Sequence, residues 1–433
     1  MPIKINSLSL FLYRIFLGFF QSGIHIASLV NEKARLWKNG RKDIWTKLDS
    51  GPGRFPERNA FTGKKKIIWM HCASLGEFEQ GRPLLEKLRI NYPGYKILLS
   101  FFSPSGYEVR KNYNGADWIV YLPMDGPGNA KRFLSIVDPS LVIFVKYEFW
   151  FYYLQAIKQN NSPLLLVSAI FRENSVFFKK HGTLQRKMLG FFDHLFVQDK
   201  VSAQLLGSIS VNNVSVTGDT RFDRVAEIAE QFSPLPVIEK FVNGQKAIVA
   251  GSSWPPDERI LQKVFSELKE QNLKLIIAPH EIGEDHIAQL EKAFPGADRY
   301  SLLKDNQQNS GNADVLIIDN IGMLSKLYHY SWISYIGGGF GKGIHNTLEA
   351  AVYGKPVLFG PKYGKFREAV DLVQNGGAFE IANEASCIEI IKRLADTNEY
   401  EKVCEASGNY VAENRGATGT ILQFIQEKRL LTS

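Results

Sequence analysis

The chain has 433 residues, 45% of them apolar and 22% charged. That length favours two domains over one, and the composition supports sizeable cores. Three distant cysteines, Cys72, Cys387 and Cys404, show no metal spacing; they argue against a disulfide framework and fit a reducing compartment.

The net charge of +8 is unevenly placed. Residues 1–66 hold 13 Lys/Arg and 4 Asp/Glu, which leaves 39 and 40 for the rest. A nucleic-acid binder spreads basic patches over its folded domains, so no nucleic-acid partner is expected. Residues 7–30 are strongly apolar, without an acid, and are interrupted by Arg14, Gln21, Ser22 and His25. Arg14 inside the run disfavours a cleavable signal peptide. A membrane span is one reading. An interfacial helix followed by basic residues (Lys33, Arg35, Lys38, Arg41, Lys42) fits better, and would lie on an anionic cytoplasmic leaflet. The remaining alternative is a buried core helix with a solvated basic tail.

Strand-like apolar runs then alternate with helix-length segments. They fall at 67–71, 96–102, 141–145, 163–169 and 194–197, and again at 246–251, 274–279, 315–318, 332–336 and 356–359. Such alternation predicts an α/β chain with two doubly wound, parallel-sheet, Rossmann-like domains, whose ligands bind in a cleft at the carboxyl ends of the strands. The stretch Gln231-Phe232-Ser233-Pro234-Leu235-Pro236 reads as a linker. The expected division is a membrane-associating helix and basic arm (1–45), a first Rossmann-like domain (46–230), a linker (231–245) and a second Rossmann-like domain (246–433). The amphipathic stretch 418–431 is a candidate to cross back to the first domain.

In the first half, the run 67–71 leads into Cys72-Ala73-Ser74-Leu75-Gly76-Glu77. Glu77 should open a helix at the cleft, where a carboxylate can take a proton from an attacking hydroxyl. The same Ser74-x-x-Glu77 spacing is also a helix capping box. Glu79 and Arg82 are secondary candidates. Glu148, between the strand 141–145 and two aromatics, is a site candidate that can equally pair with Lys146 or begin a helix. Arg221, in GDTRFD from Gly218, can hold a phosphate bidentately or bind Asp219 or Asp223.

In the second half, Ser252 and Ser253 precede a helix expected from Pro255, and read as caps or as phosphate and sugar ligands. Pro279-His280 ends the next strand. Ile321-Gly322-Met323 can give backbone contacts to a base. The run 332–336 leads into Gly337 to Pro361, GGGFGKGIHNTLEAAVYGKPVLFGP. The glycines, Gly338 and Gly339 among them, let backbone come close to a ligand. A helix opening near His345 and Asn346 would favour a phosphate. The spacing of Asn346 and Glu349, with Thr347 and Leu348 between, puts both polar side chains on one face, with Glu349 able to reach a ribose hydroxyl pair. This is neither a Walker loop nor a dinucleotide fingerprint in its usual place. It has the layout of a nucleotide-sugar site in a two-domain glycosyltransferase. No metal cluster stands out, and no cofactor is expected.

Taken together, the segments resemble the 3-deoxy-D-manno-octulosonic acid (Kdo) transferases, a GT-B glycosyltransferase family of lipopolysaccharide biosynthesis. The resemblance rests on the apolar, basic N-terminus with Tyr13-Arg14, the SLGE segment, YLPMD from Tyr121, Glu148-Phe149-Trp150, GDTRFD and the HNTLE block. It implies an inverting, metal-independent transfer of Kdo from CMP-Kdo to a lipid A precursor (lipid IVA), on the cytoplasmic face of the inner membrane. It implies Glu77 as the general base, and Glu148 and Arg221 as stabilisers of the transition state. Pro279-His280, Ile321 to Met323 and Asn346 to Glu349 then match CMP-binding positions. The chain departs from the family in having His280 where Arg is common, Lys146 where a carboxylate is common, and Arg221 where Lys is common. The competing expectations are a lipid-acceptor transferase using a UDP-sugar, a UDP-sugar 2-epimerase, and a non-catalytic membrane scaffold.

Overall fold

The computed structural model describes residues 7–50, 65–268, 272–304 and 313–432. Fourteen described strands form two seven-stranded, all-parallel sheets. The first contains β1 (Lys65–Cys72), β2 (Lys96–Phe101), β3 (Trp118–Tyr121), β4 (Pro139–Val145), β5 (Leu164–Ala169), β6 (His194–Val197) and β7 (Val214–Val216), in the order β3-β2-β1-β4-β5-β6-β7. The second contains β8 (Ala247–Ser253), β9 (Lys274–Pro279), β10 (Asp298–Arg299), β11 (Val315–Ile317), β12 (Ile333–Ile336), β13 (Val357–Phe359) and β14 (Ala378–Glu380), in the order β10-β11-β9-β8-β12-β13-β14.

All ten strands expected from apolar runs are present. The four outside that set, β3, β7, β10 and β14, are the four sheet edges. An edge strand is covered on fewer sides, so it is short and of mixed character: β7 and β10 have no fully buried residue. Inner strands are buried on both faces, which makes them near-continuous apolar runs. In the first sheet, alternate residues feed two cores. Ile67, Trp69, Val142 and Phe144 join one; Ile68, Met70, Ile143 and Val145 join the other.

The chain divides into residues 1–223 with 416–433, and residues 224–415. This differs from the sequence-based division at both ends. Three N-terminal helices, α1 (Ser7–Ala27), α2 (Glu32–Asn39) and α3 (Ile44–Ser50), supply Leu17, Trp37, Ile44 and Leu48 to a first-sheet core, so 1–45 is not a separate arm. The helix Ala417–Glu427 places Ile421 and Ile425 in the opposite core, so the last residues leave the second unit. Asp223 receives the Gly416 and Thr418 amides at the start of that helix. Residues 224–245, read from sequence as domain end and linker, belong to the second unit.

Helix α1 is long and apolar enough to cross a membrane by length and composition. Leu10, Tyr13, Leu17, Phe20 and Ile24 pack along its whole length against the first-sheet core. Leu8, Phe11, Leu12, Ile15, Phe16, Phe19 and Ile26 are exposed on the other side. Tyr13 Oη donates to Asp125 Oδ2 at 2.7 Å, and Asp125 also receives the amides of Tyr152 and Tyr153 at 3.1 and 3.0 Å. Asp125 therefore ties α1 to the start of the helix Phe151–Gln159. Burial raises its carboxyl to about 6, outweighing the donors that pull it down. A raised carboxyl stabilises the fold fully below the unfolded value of 3.8 and loses that contribution as pH rises through about 6. The loss is expected to be of order 3 kcal/mol. Asp125→Asn should flatten the dependence of the unfolding midpoint on pH across that window; the same slope in both proteins would refute the assignment.

Candidate active site

Three non-glycine residues adopt left-handed backbone near the carboxyl ends of strands: Lys146 (φ 69°) just after β4, Ser168 (53°) in β5 and Ser252 (52°) in β8. Such conformations cost about 1–3 kcal/mol each and gather where a side chain must be re-aimed. At Ser168 and Ser252 the strand register also shifts, as at a β-bulge. The carboxyl ends are where ligands bind in doubly wound sheets.

In the first unit, Glu77 stands on the first turn of α4 (Leu75–Asn91), directly after β1, and is half-buried. The capping box allowed by the spacing is not made: Ser74 caps nothing with its side chain, and its hydroxyl donates to Glu77 Oε2 instead. The carboxylate is left beside the helix N-terminus. Glu148, after β4, is buried and pairs neither with Lys146 nor as a helix opener. Its Oε2 receives His71 Nε2 at 2.9 Å and the Trp150 indole N–H at 2.5 Å. Trp69 Nε1 donates to Ser100 Oγ at 2.7 Å, and Ser100 Oγ lies 2.9 Å from His71 Nδ1. With the Ser100 hydroxyl donating to Nδ1, the Nε2 proton falls to Glu148, and every group in the row is satisfied. Arg221 takes the structural option: Nε and Nη2 reach Asp219 Oδ2 at 2.9 and 2.8 Å. Burial would raise Asp219, but Arg221 and then Gln80 outweigh it and hold the carboxyl low. Glu79 binds Arg110 at 2.7 Å and Arg82 binds Glu86 at 2.8 Å, so both are spent within the surface of α4 and its neighbour.

In the second unit, the glycine run is required for the packing of chain on chain. A Cβ on Gly337 would lie 2.2 Å from Ser252 O, one on Gly338 2.4 Å from Gly343 O, and one on Gly339 2.5 Å from Gly360 N. The close approach is of chain to chain, and the Gly338 amide is already donated to Asp257 Oδ2 at 2.9 Å. The helix expected near Asn346 is a single turn, Leu348–Ala351, so its dipole is correspondingly small. Asn346 and Glu349 do share a face: Asn346 Nδ2 donates to Glu349 Oε1 at 2.9 Å, while Asn346 Oδ1 takes the Leu348 amide. The Thr347 and Leu348 side chains are fully buried, which leaves only their backbone for a ligand. Ser253 is also fully buried and donates to Glu258 at 2.9 Å; the helix Pro255–Glu267 is capped not by either serine but by Asp257 on the Trp254 amide. Pro279 is buried, and His280 is exposed. Ile321 is 85% exposed, Gly322 has φ 101°, and Met323 opens the short helix Leu324–Leu327.

His280 stacks between two rings, Trp254 and His345, each 4.6 Å away. Trp254 Nε1 donates to His345 Nε2 at 3.3 Å. Burial and then His280 lower His345 to about 4, so it is neutral near pH 7. Indole is a donor only, so the His345 proton sits on Nδ1. Among the described residues, no three His, Cys, Asp or Glu side chains come together as a metal site requires.

Residues 53–224 match the family model of 3-deoxy-D-manno-octulosonic-acid transferase (kdotransferase). Proteins named 3-deoxy-D-manno-octulosonic acid transferase from Aquifex aeolicus and Haemophilus influenzae are 28% and 26% identical to the chain. The alignments cover 82% and 86% of this chain, and 93% and 91% of theirs. These matches support the Kdo transferase family for this chain. It is a glycosyltransferase, and its paired parallel sheets are those of the GT-B class. The fold is shared with a UDP-GlcNAc 2-epimerase from Neisseria meningitidis (TM-score 0.58, 16% identity, 83% of this chain and 100% of that one). It is shared too with a glycosyltransferase from Rickettsia africae (TM-score 0.54, 15% identity, 83% and 98%).

Among the residues these two sites bring together, sequence reasoning passed over His71, Asp257 and His345. His71 ends a strand run and looks like core. Asp257 looks like an ordinary acid in a helix's first turn. Only His345 carried a signal, through its place inside the HNTLE block.

Proposed function

We propose that the protein transfers Kdo from CMP-Kdo to a hydroxyl of a lipid A precursor, lipid IVA, by an inverting, metal-independent reaction. Glu77 carries the reading: a half-buried carboxylate after β1, oriented by Ser74 and not consumed by a cap. Glu77 takes the proton of the acceptor hydroxyl as that oxygen forms its bond to the anomeric carbon of Kdo. The bond from that carbon to the phosphate oxygen breaks, and CMP leaves with the electron pair. Glu148, held by His71 and Trp150, and Arg221, partly offset by Asp219, place fixed charges for the transition state. CMP-Kdo is assigned to the second unit, with Ser252, His280 and the backbone of Ile321 to Met323 and of Gly339 as contacts. The Asn346–Glu349 pair is the ribose ligand. The exposed apolar side of α1, packed along its other side, supports a helix lying on the inner membrane's cytoplasmic face.

The test incubates the detergent-solubilised protein with lipid IVA and a CMP-Kdo generating system, and reads the lipid by mass spectrometry. An increase of one or more Kdo masses is expected. An unchanged lipid with folded protein would reject the assignment. In a binding experiment, CMP should compete with the donor and UDP should not.

A further inference from the structure

A pocket of about 270 Å³ opens where α1 meets α2 and α3. His25 comes from α1, Trp37 and Lys38 from α2, Arg41 and Lys42 from the α2–α3 turn, and Trp45 from α3. Among the described residues, no Asp or Glu lines it. Arg41 does not supply its free charge. Its Nε, Nη1 and Nη2 donate to the carbonyls of Leu122, Trp37 and Phe102, and it lies 3.9 Å from the Trp37 ring centre. Burial lowers Arg41 to about 9, so it keeps its charge at neutral pH while building the wall. Lys38 is half-buried and Lys42 exposed, and both reach the pocket from that fixed wall. Ile26, Leu29 and Val30, 70%, 77% and 92% exposed, stand beside His25 in sequence and continue the bare apolar side of α1. A cationic, tryptophan-lined hollow at the end of an exposed apolar stripe has the character suited to the depth where a bilayer changes from acyl chain to headgroup.

We propose that this pocket binds the phosphate of an anionic membrane lipid, with Lys38 and Lys42 on the phosphate oxygens. The lipid is a resident of the bilayer, apart from donor and acceptor. The proposal rests on the reading that α1 lies on the membrane.

The test compares binding of the full chain to phosphatidylcholine vesicles and to vesicles of equal parts phosphatidylcholine and phosphatidylglycerol. Wild type, Lys38→Ala/Lys42→Ala and the control Lys33→Ala/Arg35→Ala are measured. The control removes two basic residues that the pocket does not use. Diffuse attraction to an anionic surface is worth about five-fold per cation, or about 30-fold for any pair, so the pocket pair, which also holds the phosphate directly, should lose more than that on anionic vesicles and little on phosphatidylcholine. The control should lose clearly less. Equal losses in the two variants would reduce the effect to diffuse surface charge and overturn the pocket. Displacement of the protein from anionic vesicles by millimolar inorganic phosphate, with pH and ionic strength held constant, would overturn the lipid in favour of a free anion. Wild type that binds neither vesicle would overturn the membrane reading itself, whereas kinetic failure of Kdo transfer would leave these measurements unaffected.

Discussion

Glu77→Gln is expected to lower the turnover of Kdo transfer by about 10²–10⁴-fold, the usual worth of a positioned general base. Glutamine keeps the shape of the side chain and still accepts the Ser74 hydroxyl, but it cannot take a proton at neutral pH. Glu77→Ala should abolish transfer to the same extent. Both changes lie in the first unit and CMP is assigned to the second, so the affinity for CMP should stay within about two-fold. Steady-state transfer and calorimetric nucleotide binding give the two readouts. Turnover within a few-fold of wild type would show that Glu77 is only a helix-start residue.

Asp257→Ala is expected to destabilise residues 224–415 by about 3 kcal/mol or more. Asp257 is fully buried and receives three donors at 2.9 Å: the Tyr335 hydroxyl, the Gly338 amide and the Trp254 amide. Each buried donor left unpaired costs about 1–3 kcal/mol. Burial, then Asp257 itself, pushes the Tyr335 hydroxyl far above its ordinary value, so it stays protonated and donating. One carboxylate thus joins the start of a helix, the end of β12 and the glycine run. Its loss should also weaken CMP binding, because the run would lose the anchor that holds its backbone. The effect is read from the urea midpoint of the unit and from nucleotide calorimetry. An unchanged midpoint would mean that water replaces the carboxylate, and that the run is held by its chain-to-chain packing alone.

The two sheets were legible because their inner strands are buried on both faces, which forces apolar residues at nearly every position. The edges β3, β7, β10 and β14 escaped the same reading because that constraint is relaxed there. Asn346 and Glu349 were legible as a pair because helical spacing is a local rule, and the structure joins them. The spacing of Ser74 and Glu77 allowed a capping box that the structure does not make. A hydroxyl can accept from a backbone amide or donate to a carboxylate, and spacing is the same for both.

The sequence by itself determined the fold class and carried the family resemblance, since periodicity and ordered motifs are properties of the chain alone. Tertiary structure decided what each group does. His71 could become a partner of Glu148 only once β1 and β4 lay side by side. Arg41 reads as a membrane-facing cation until three carbonyls and an indole ring enclose it. The glycines of Gly337 to Gly339 read as room for a ligand, and the fold shows that neighbouring backbone from Ser252, Gly343 and Gly360 also requires the missing Cβ atoms. Each of these outcomes depends on groups distant in sequence, whose approach is set by packing and by the cost of leaving a buried polar atom unpaired.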